Sequence, residues 1–142
     1  MRIADVLRGK GGAVVTISPD ATVAELVAGL ADHNIGAMVV VGPDGVAGIV
    51  SERDVVRQMH SHGASVLSQP VHTIMTTMVS TCSKADTVDS LTRLMTENRV
   101  RHVPVLEDGK LIGIVSIGDV VKTRMQELES EHQQLQSYIT QG

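Results

Sequence analysis

Gly48-Ile49-Val50-Ser51-Glu52-Arg53-Asp54-Val55-Val56 is the stretch on which the fold turns, because it recurs as Gly113-Ile114-Val115-Ser116-Ile117-Gly118-Asp119-Val120-Val121. Only the two residues between the serine and the aspartate differ. Thr22-Val23 and Leu26 return as Thr87-Val88 and Leu91, at the same offset of 65 positions that separates Gly48 from Gly113. Residues 22–56 therefore align with 87–121 without a gap. A period of this length marks a duplicated supersecondary unit.

Each copy has the same grammar. A short β-branched run at 13–17, repeated at 78–82, predicts a first strand. Thr22 and Thr87 follow, each with a hydroxyl suited to cap a helix. Val23, Leu26, Val27 and Leu30 have the three-and-four spacing of one buried face, as do Val88, Leu91 and Met95. Two strands then pair across a tight turn: 37–41 with 46–50 through Gly42-Pro43-Asp44-Gly45, and 102–106 with 111–115 through Glu107-Asp108-Gly109-Lys110. Asp-Gly between apolar runs is a strong hairpin signal. Ser51 and Ser116 open the final helices. The expected architecture is α+β: two tandem βαββα repeats at 1–60 and 73–124, a polar connection at 61–72, and a helical extension at 125–142.

Composition narrows the function. Tyr138 is the only aromatic residue, so stacking platforms for single-stranded nucleic acid are missing. A net charge of -4 argues against a nucleic-acid partner of any kind. No stretch reaches the roughly 20 apolar residues that span a bilayer, so no membrane partner is expected. Cys82 is the single cysteine, which rules out an intrachain disulfide and suits a reducing compartment, the cytoplasm by default. In its predicted strand Cys82 fits a small core residue better than a nucleophile.

With the repeat and its Gly-Ile-Val-Ser-x-x-Asp blocks in view, the chain resembles the cystathionine-β-synthase (CBS) domain family, and specifically a stand-alone tandem pair, a Bateman module. The resemblance runs from Ile3 to about Arg124, with Ile3-Ala4-Asp5-Val6-Leu7 and Thr73-Ile74-Met75 as the openings of the two units. It implies two units packed pseudo-symmetrically through their sheets around two clefts. Such clefts take AMP, ADP or ATP, or else NADH or S-adenosylmethionine, with no covalent cofactor. By this analogy the first cleft joins Ser51, Arg53 and Asp54 to Val79, Ser80, Val100, Arg101 and His102. The second joins Ser116 and Asp119 to Val15, Ile35, Gly36 and Ala37, with Lys10 nearby. An aspartate one turn into a helix suits a ribose diol, and a helix start favours phosphate oxygens. Basic charge singles out the first cleft as the one for a phosphorylated ligand.

Plainer assignments stand beside these. Asp54 and Asp119 also fit as first-turn acids favoured by the helix dipole whatever the ligand. Arg53 fits a solvated surface, and Arg101-His102 fits an ordinary polar strand entrance. His60 and His62 are close together, but zinc needs three or four convergent ligands, so no metal site is expected. Gly9-Lys10-Gly11-Gly12 lacks phosphate-loop spacing and is expected to be a flexible loop. No nucleophile–base set stands out, so no catalytic residues are assigned and no enzyme activity is expected.

From Asp119 to about Thr140 the chain has neither Gly nor Pro and predicts one long helix. Val121, Met125, Leu128, His132, Leu135 and Ile139 alternate steps of four and three, the seam of a coiled coil. Such a helix either packs back on its own domain or pairs with another chain; a homodimer is the expectation. The leading function is a regulatory sensor of an adenine nucleotide. The alternative is a structural or protein-interaction module without ligand, acting on an unidentified protein through the C-terminal helix.

Overall fold

A computed structural model describes residues 1–11, 14–77 and 79–141. In chain order these form α1 (Ile3–Lys10), β1 (Thr16–Ile17), α2 (Val23–Asp32), β2 (Ala37–Gly42), β3 (Gly45–Ser51) and α3 (Glu52–His62). Two 3₁₀ turns (Gly63–Ser68 and Val71–Thr73) then lead to α4 (Val88–Asn98), β4 (His102–Glu107), β5 (Lys110–Ser116) and α5 (Ile117–Gln141). The duplication is visible in three dimensions. Thr22 Oγ1 accepts the Glu25 N–H and Thr87 Oγ1 the Ser90 N–H, both at 3.1 Å, as their capping role requires. Both hairpins carry a register shift at the same place, Val40/Val41 and Val105/Leu106. The second turns through Asp108 and Gly109, both at positive φ, the conformation that matches strand twist.

Each unit has its own core. Val23, Leu26 and Leu30 of α2 meet Met38, Val40 and Val50 in one; Val88, Leu91 and Met95 of α4 meet Val103, Val105 and Val115 in the other. Val27 lies outside the expected face and is exposed, because the buried stripe of this short helix is only three side chains wide. The two openings are exchanged. Ile3 and Val6 of α1 are buried in the core of the second unit, whereas Val66 and Val71 from the connection complete the core of the first.

Three local expectations change. The run at 13–17 keeps only β1, parallel to β2 (Thr16↔Val39, Ile17↔Val40), and Ala13 lies outside the described residues. Its twin at 78–82 is no strand but a single bridge, Cys82↔Val105, with Met78 outside the described residues. Pro104 explains the loss. Its carbonyl accepts the Cys82 N–H at 3.0 Å, so the donor that proline lacks is missing from that same edge. The glycine-rich segment is not wholly a loop: Gly9 and Lys10 end α1, Gly11 caps it at φ 93°, and Gly12 lies outside the described residues. His60 and His62 lie in the last turn of α3. Burial lifts the thiol pKa of Cys82 to about 11, with Asp86 adding to the shift. An inert core thiol is what that environment produces.

Candidate functional site

β3 runs into α3 at Ser51, where the chain must satisfy the first amides of a helix. Asp54 Oδ2 accepts the Ser51 N–H at 2.8 Å and its hydroxyl at 3.1 Å, and Ser51 Oγ accepts the Asp54 N–H at 3.3 Å. This reciprocal box locks the Asp54 rotamer and leaves its Oδ1 without a hydrogen bond among the described residues. Glu52 N–H is taken by the Gly36 carbonyl at 3.0 Å. Two of the first amides of α3 are therefore already used, and the helix start is a weaker phosphate cradle than the sequence alone implies.

Around Asp54 lies a cavity of about 290 Å³. All eight residues assigned to the first cleft line it: Ser51, Arg53 and Asp54 from one unit, and Val79, Ser80, Val100, Arg101 and His102 from the other. The pseudo-symmetry sets the entrances of β2 and β4 against each other. Gly36 and Ala37, which the resemblance assigned to the second cleft, therefore line this first cavity. A Cβ at Gly36 would stand 3.9 Å from His102 Cε1, which shows how close the two entrances are.

Arg57 and Arg99 also line the cavity and were not singled out from sequence. Arg57 follows Arg53 by one helical turn, a spacing that could have found it. Arg99 gave no such signal, because it reaches the cavity through a left-handed backbone (φ 54°, ψ 42°) at the end of α4. Four arginines thus converge on a site holding two carboxylates, Glu52 and Asp54. Among the described residues none of these arginines makes an ion pair within 4 Å. Burial, aided by the Lys10 ammonium and the Arg101 guanidinium, holds His102 below the usual imidazole range, with Asp119 and Glu52 pulling the other way.

The second cleft is built differently. Ser116 and Asp119 repeat the reciprocal box, at 2.8, 3.0 and 3.2 Å. Here Lys10 Nζ bonds Asp119 Oδ2 at 2.7 Å and the Ile114 carbonyl at 2.7 Å. Burial opposes the charge on Asp119, but Lys10 and the Ser116 N–H outweigh it, and its carboxyl sits below the usual range. Val15 and Ile35, assigned to this cleft by the resemblance, pack against the core of the first unit.

A family model for the CBS domain matches residues 11–61 and again 71–125. The chain belongs to the CBS domain family. This CBS pair is 40% identical to the mitochondrial CBS domain-containing protein CBSX3 of Arabidopsis thaliana, over 99% of its own length and 72% of the relative's. It superimposes with a TM-score of 0.84 on the CBS-domain containing protein ATU1752 from Agrobacterium tumefaciens, at 46% identity, covering 87% of this chain and 99% of that one. It shares its fold with the CBS domain pair of protein MJ0100, solved in complex with 5′-methylthioadenosine and S-adenosyl-L-methionine (TM-score 0.76, 21% identity, 89% of this chain and 98% of that one). CBS pairs are regulatory modules. Among the described residues, no helix of this one is long and apolar enough to cross a membrane.

Proposed function

We propose that this CBS pair senses an adenine nucleotide, AMP, ADP or ATP, in the Asp54 cavity. The observation that carries the proposal is the convergence of Arg53, Arg57, Arg99 and Arg101, without ion-pair partners among the described residues, on a cavity that also presents a rigidly capped carboxylate. A phosphate supplies the anion those guanidinium groups lack. Asp54 Oδ1 suits a ribose diol, and Ile49, Val79 and Val100 give an adenine ring apolar walls. A cavity of about 290 Å³ is at the small end for ligands, which fits one mononucleotide. The adenosine compounds bound by the MJ0100 pair support the nucleoside half of the assignment. Ser51 is committed to capping α3, so the site binds rather than catalyses.

Titration calorimetry with AMP, ADP, ATP and S-adenosylmethionine tests this. The phosphorylated ligands should bind saturably, and S-adenosylmethionine, which has no phosphate, should bind more weakly. Equal affinity for S-adenosylmethionine, or no binding by any nucleotide, would overturn the assignment. The pH dependence adds a second reading of the same site. His102 has a depressed pKa in the free cavity, and a phosphate beside it raises that pKa. Binding therefore takes up a proton, and affinity should rise as pH falls from 7.5 to 6. His102→Gln should flatten the slope apart from the nucleotide's own titration; an unchanged slope would remove His102 from the phosphate site.

The output of the sensor, in our reading, runs through a homodimer. Met125, Leu128, Leu135 and Ile139 are 58%, 64%, 62% and 75% exposed along one side of α5. Residues 128–140 are exposed throughout, and a helical arm of that length is marginal in water without a partner. A second copy lying parallel covers the seam. Light scattering should give a dimer mass that Leu128→Glu with Leu135→Glu reduces to a monomer. A wild-type monomer would return α5 to another partner.

A further inference from the structure

Besides lacking the arginines of the first cleft, the second differs from it by one added side chain, and the pseudo-symmetry shows why. Val23 N–H bonds the Gln69 carbonyl at 2.9 Å, as Val88 N–H bonds the Met1 carbonyl at 3.0 Å. Val71 N–H bonds Ala21 O at 2.7 Å, as Ile3 N–H bonds Asp86 O at 2.9 Å. The openings thus correspond at an offset of 68 positions (Met1 to Gln69), while the bodies correspond at 65. Three extra residues stand between the first opening and its unit. Leu7 still lies over Gly113 as Met75 lies over Gly48, and there the likeness stops.

After Met75, Thr76 pairs through its backbone with Ile49, at 3.0 and 2.9 Å. The counterpart of Thr76 is Arg8, which stays in α1 and makes no such pair among the described residues. Lys10, one turn end further on, supplies the missing donor: its ammonium takes the carbonyl of Ile114, the twin of Ile49. The same ammonium bonds Asp119, the twin of Asp54. A cation therefore covers one member of the carboxylate pair and not the other. Lys10 and Asp119 are 35% and 21% exposed, half-withdrawn from the screening that weakens surface pairs.

We infer that Lys10 is the specificity-determining residue that closes the second cleft to nucleotide, so that this CBS pair takes one nucleotide per chain, in the Asp54 cavity. A ribose entering at Asp119 must displace the ammonium from both acceptors and leave the Ile114 carbonyl without its donor. Replacing two charge-assisted or carbonyl bonds already made is a cost the Asp54 cavity does not impose. The inference rests on the assignment of a nucleotide to that cavity, and the experiment keeps the two separable.

AMP stoichiometry is measured by calorimetry on the full chain as wild type, Lys10→Met, Asp54→Ala, and Asp54→Ala with Lys10→Met. Methionine keeps the apolar stem and removes only the charge. Expected values are one AMP per chain for wild type, two for Lys10→Met, none for Asp54→Ala, and one for the double variant. A wild type that takes two, or a double variant that takes none, overturns the inference. A wild type that takes none overturns the sensor assignment instead. A ligand-free arm reads Lys10 itself, by amine-reactive labelling followed by mass spectrometry. Lys10 should label more slowly than exposed Lys110 and Lys122, and Asp119→Asn should bring it up to their rate. Lys10 labelling as fast as Lys110 in the wild type overturns the closure whatever the protein binds.

Discussion

Asp54→Ala is expected to weaken AMP binding on the order of a hundredfold or more, since each hydrogen bond to a charged group contributes about 1.5–3 kcal/mol and a ribose diol makes two. The substitution also opens the cap of α3, because Asp54 Oδ2 accepts both the Ser51 N–H and its hydroxyl. Stability should fall with it, by about 1 kcal/mol. Asp54→Asn separates the two effects. An amide oxygen still accepts the Ser51 N–H, so the unfolding midpoint stays near wild type while the charge that holds the ribose is gone. Asp119→Ala loses the equivalent cap and should leave binding in the Asp54 cavity intact. Calorimetry and urea unfolding on the three variants decide the matter. Undiminished binding in Asp54→Ala, or loss confined to Asp119→Ala, would place the nucleotide elsewhere.

The second large effect concerns two glycines that the repeat makes equivalent and the packing does not. A Cβ at Gly48 would stand 2.6 Å from the Thr76 carbonyl and 2.9 Å from Met75 Sδ. That carbonyl is itself held by the Ile49 N–H at 3.0 Å, so it cannot retreat without breaking the bridge. At Gly113 the three atoms nearest the same Cβ all belong to the Leu7 side chain, with Cδ2 at 2.6 Å and Cδ1 at 3.2 Å. A leucine tip can change rotamer where a paired backbone cannot. Gly48→Ala should therefore cost about 3 kcal/mol, the upper end for overpacking, and Gly113→Ala about 1 kcal/mol. Urea midpoints at constant slope measure both. Equal losses would mean that α1 holds Leu7 as firmly as the sheet holds Thr76.

Much of this molecule is legible in the chain because its signals are local. Helix caps at Thr22 and Thr87, the apolar faces of α2 and α4, and the hairpin turns each depend on residues within one or two turns of one another. The exceptions have equally physical causes. Pro104 erases a strand that the β-branched run at 78–82 advertises, since a donor missing on one strand cannot be seen from its neighbour. Gly36 and Ala37 reach the first cavity because the approach of β2 to β4 is a matter of packing between units. Arg99 enters the cavity only through a left-handed backbone that no pattern announces.

The family resemblance named eight of the residues that line the first cavity, while sequence alone determined the duplication and the paired Ser-x-x-Asp caps. It did so because a repeat copies its local hydrogen bonding along with its residues. The difference in basic charge between the clefts was also legible in the chain, but tertiary structure alone decided that the second carboxylate is covered by an ammonium. Lys10 lies 104 positions from Ile114 and 109 from Asp119. Only the exchange of openings between the units, with three extra residues in one of them, carries its ammonium to the carboxylate that the repeat had made equivalent to Asp54.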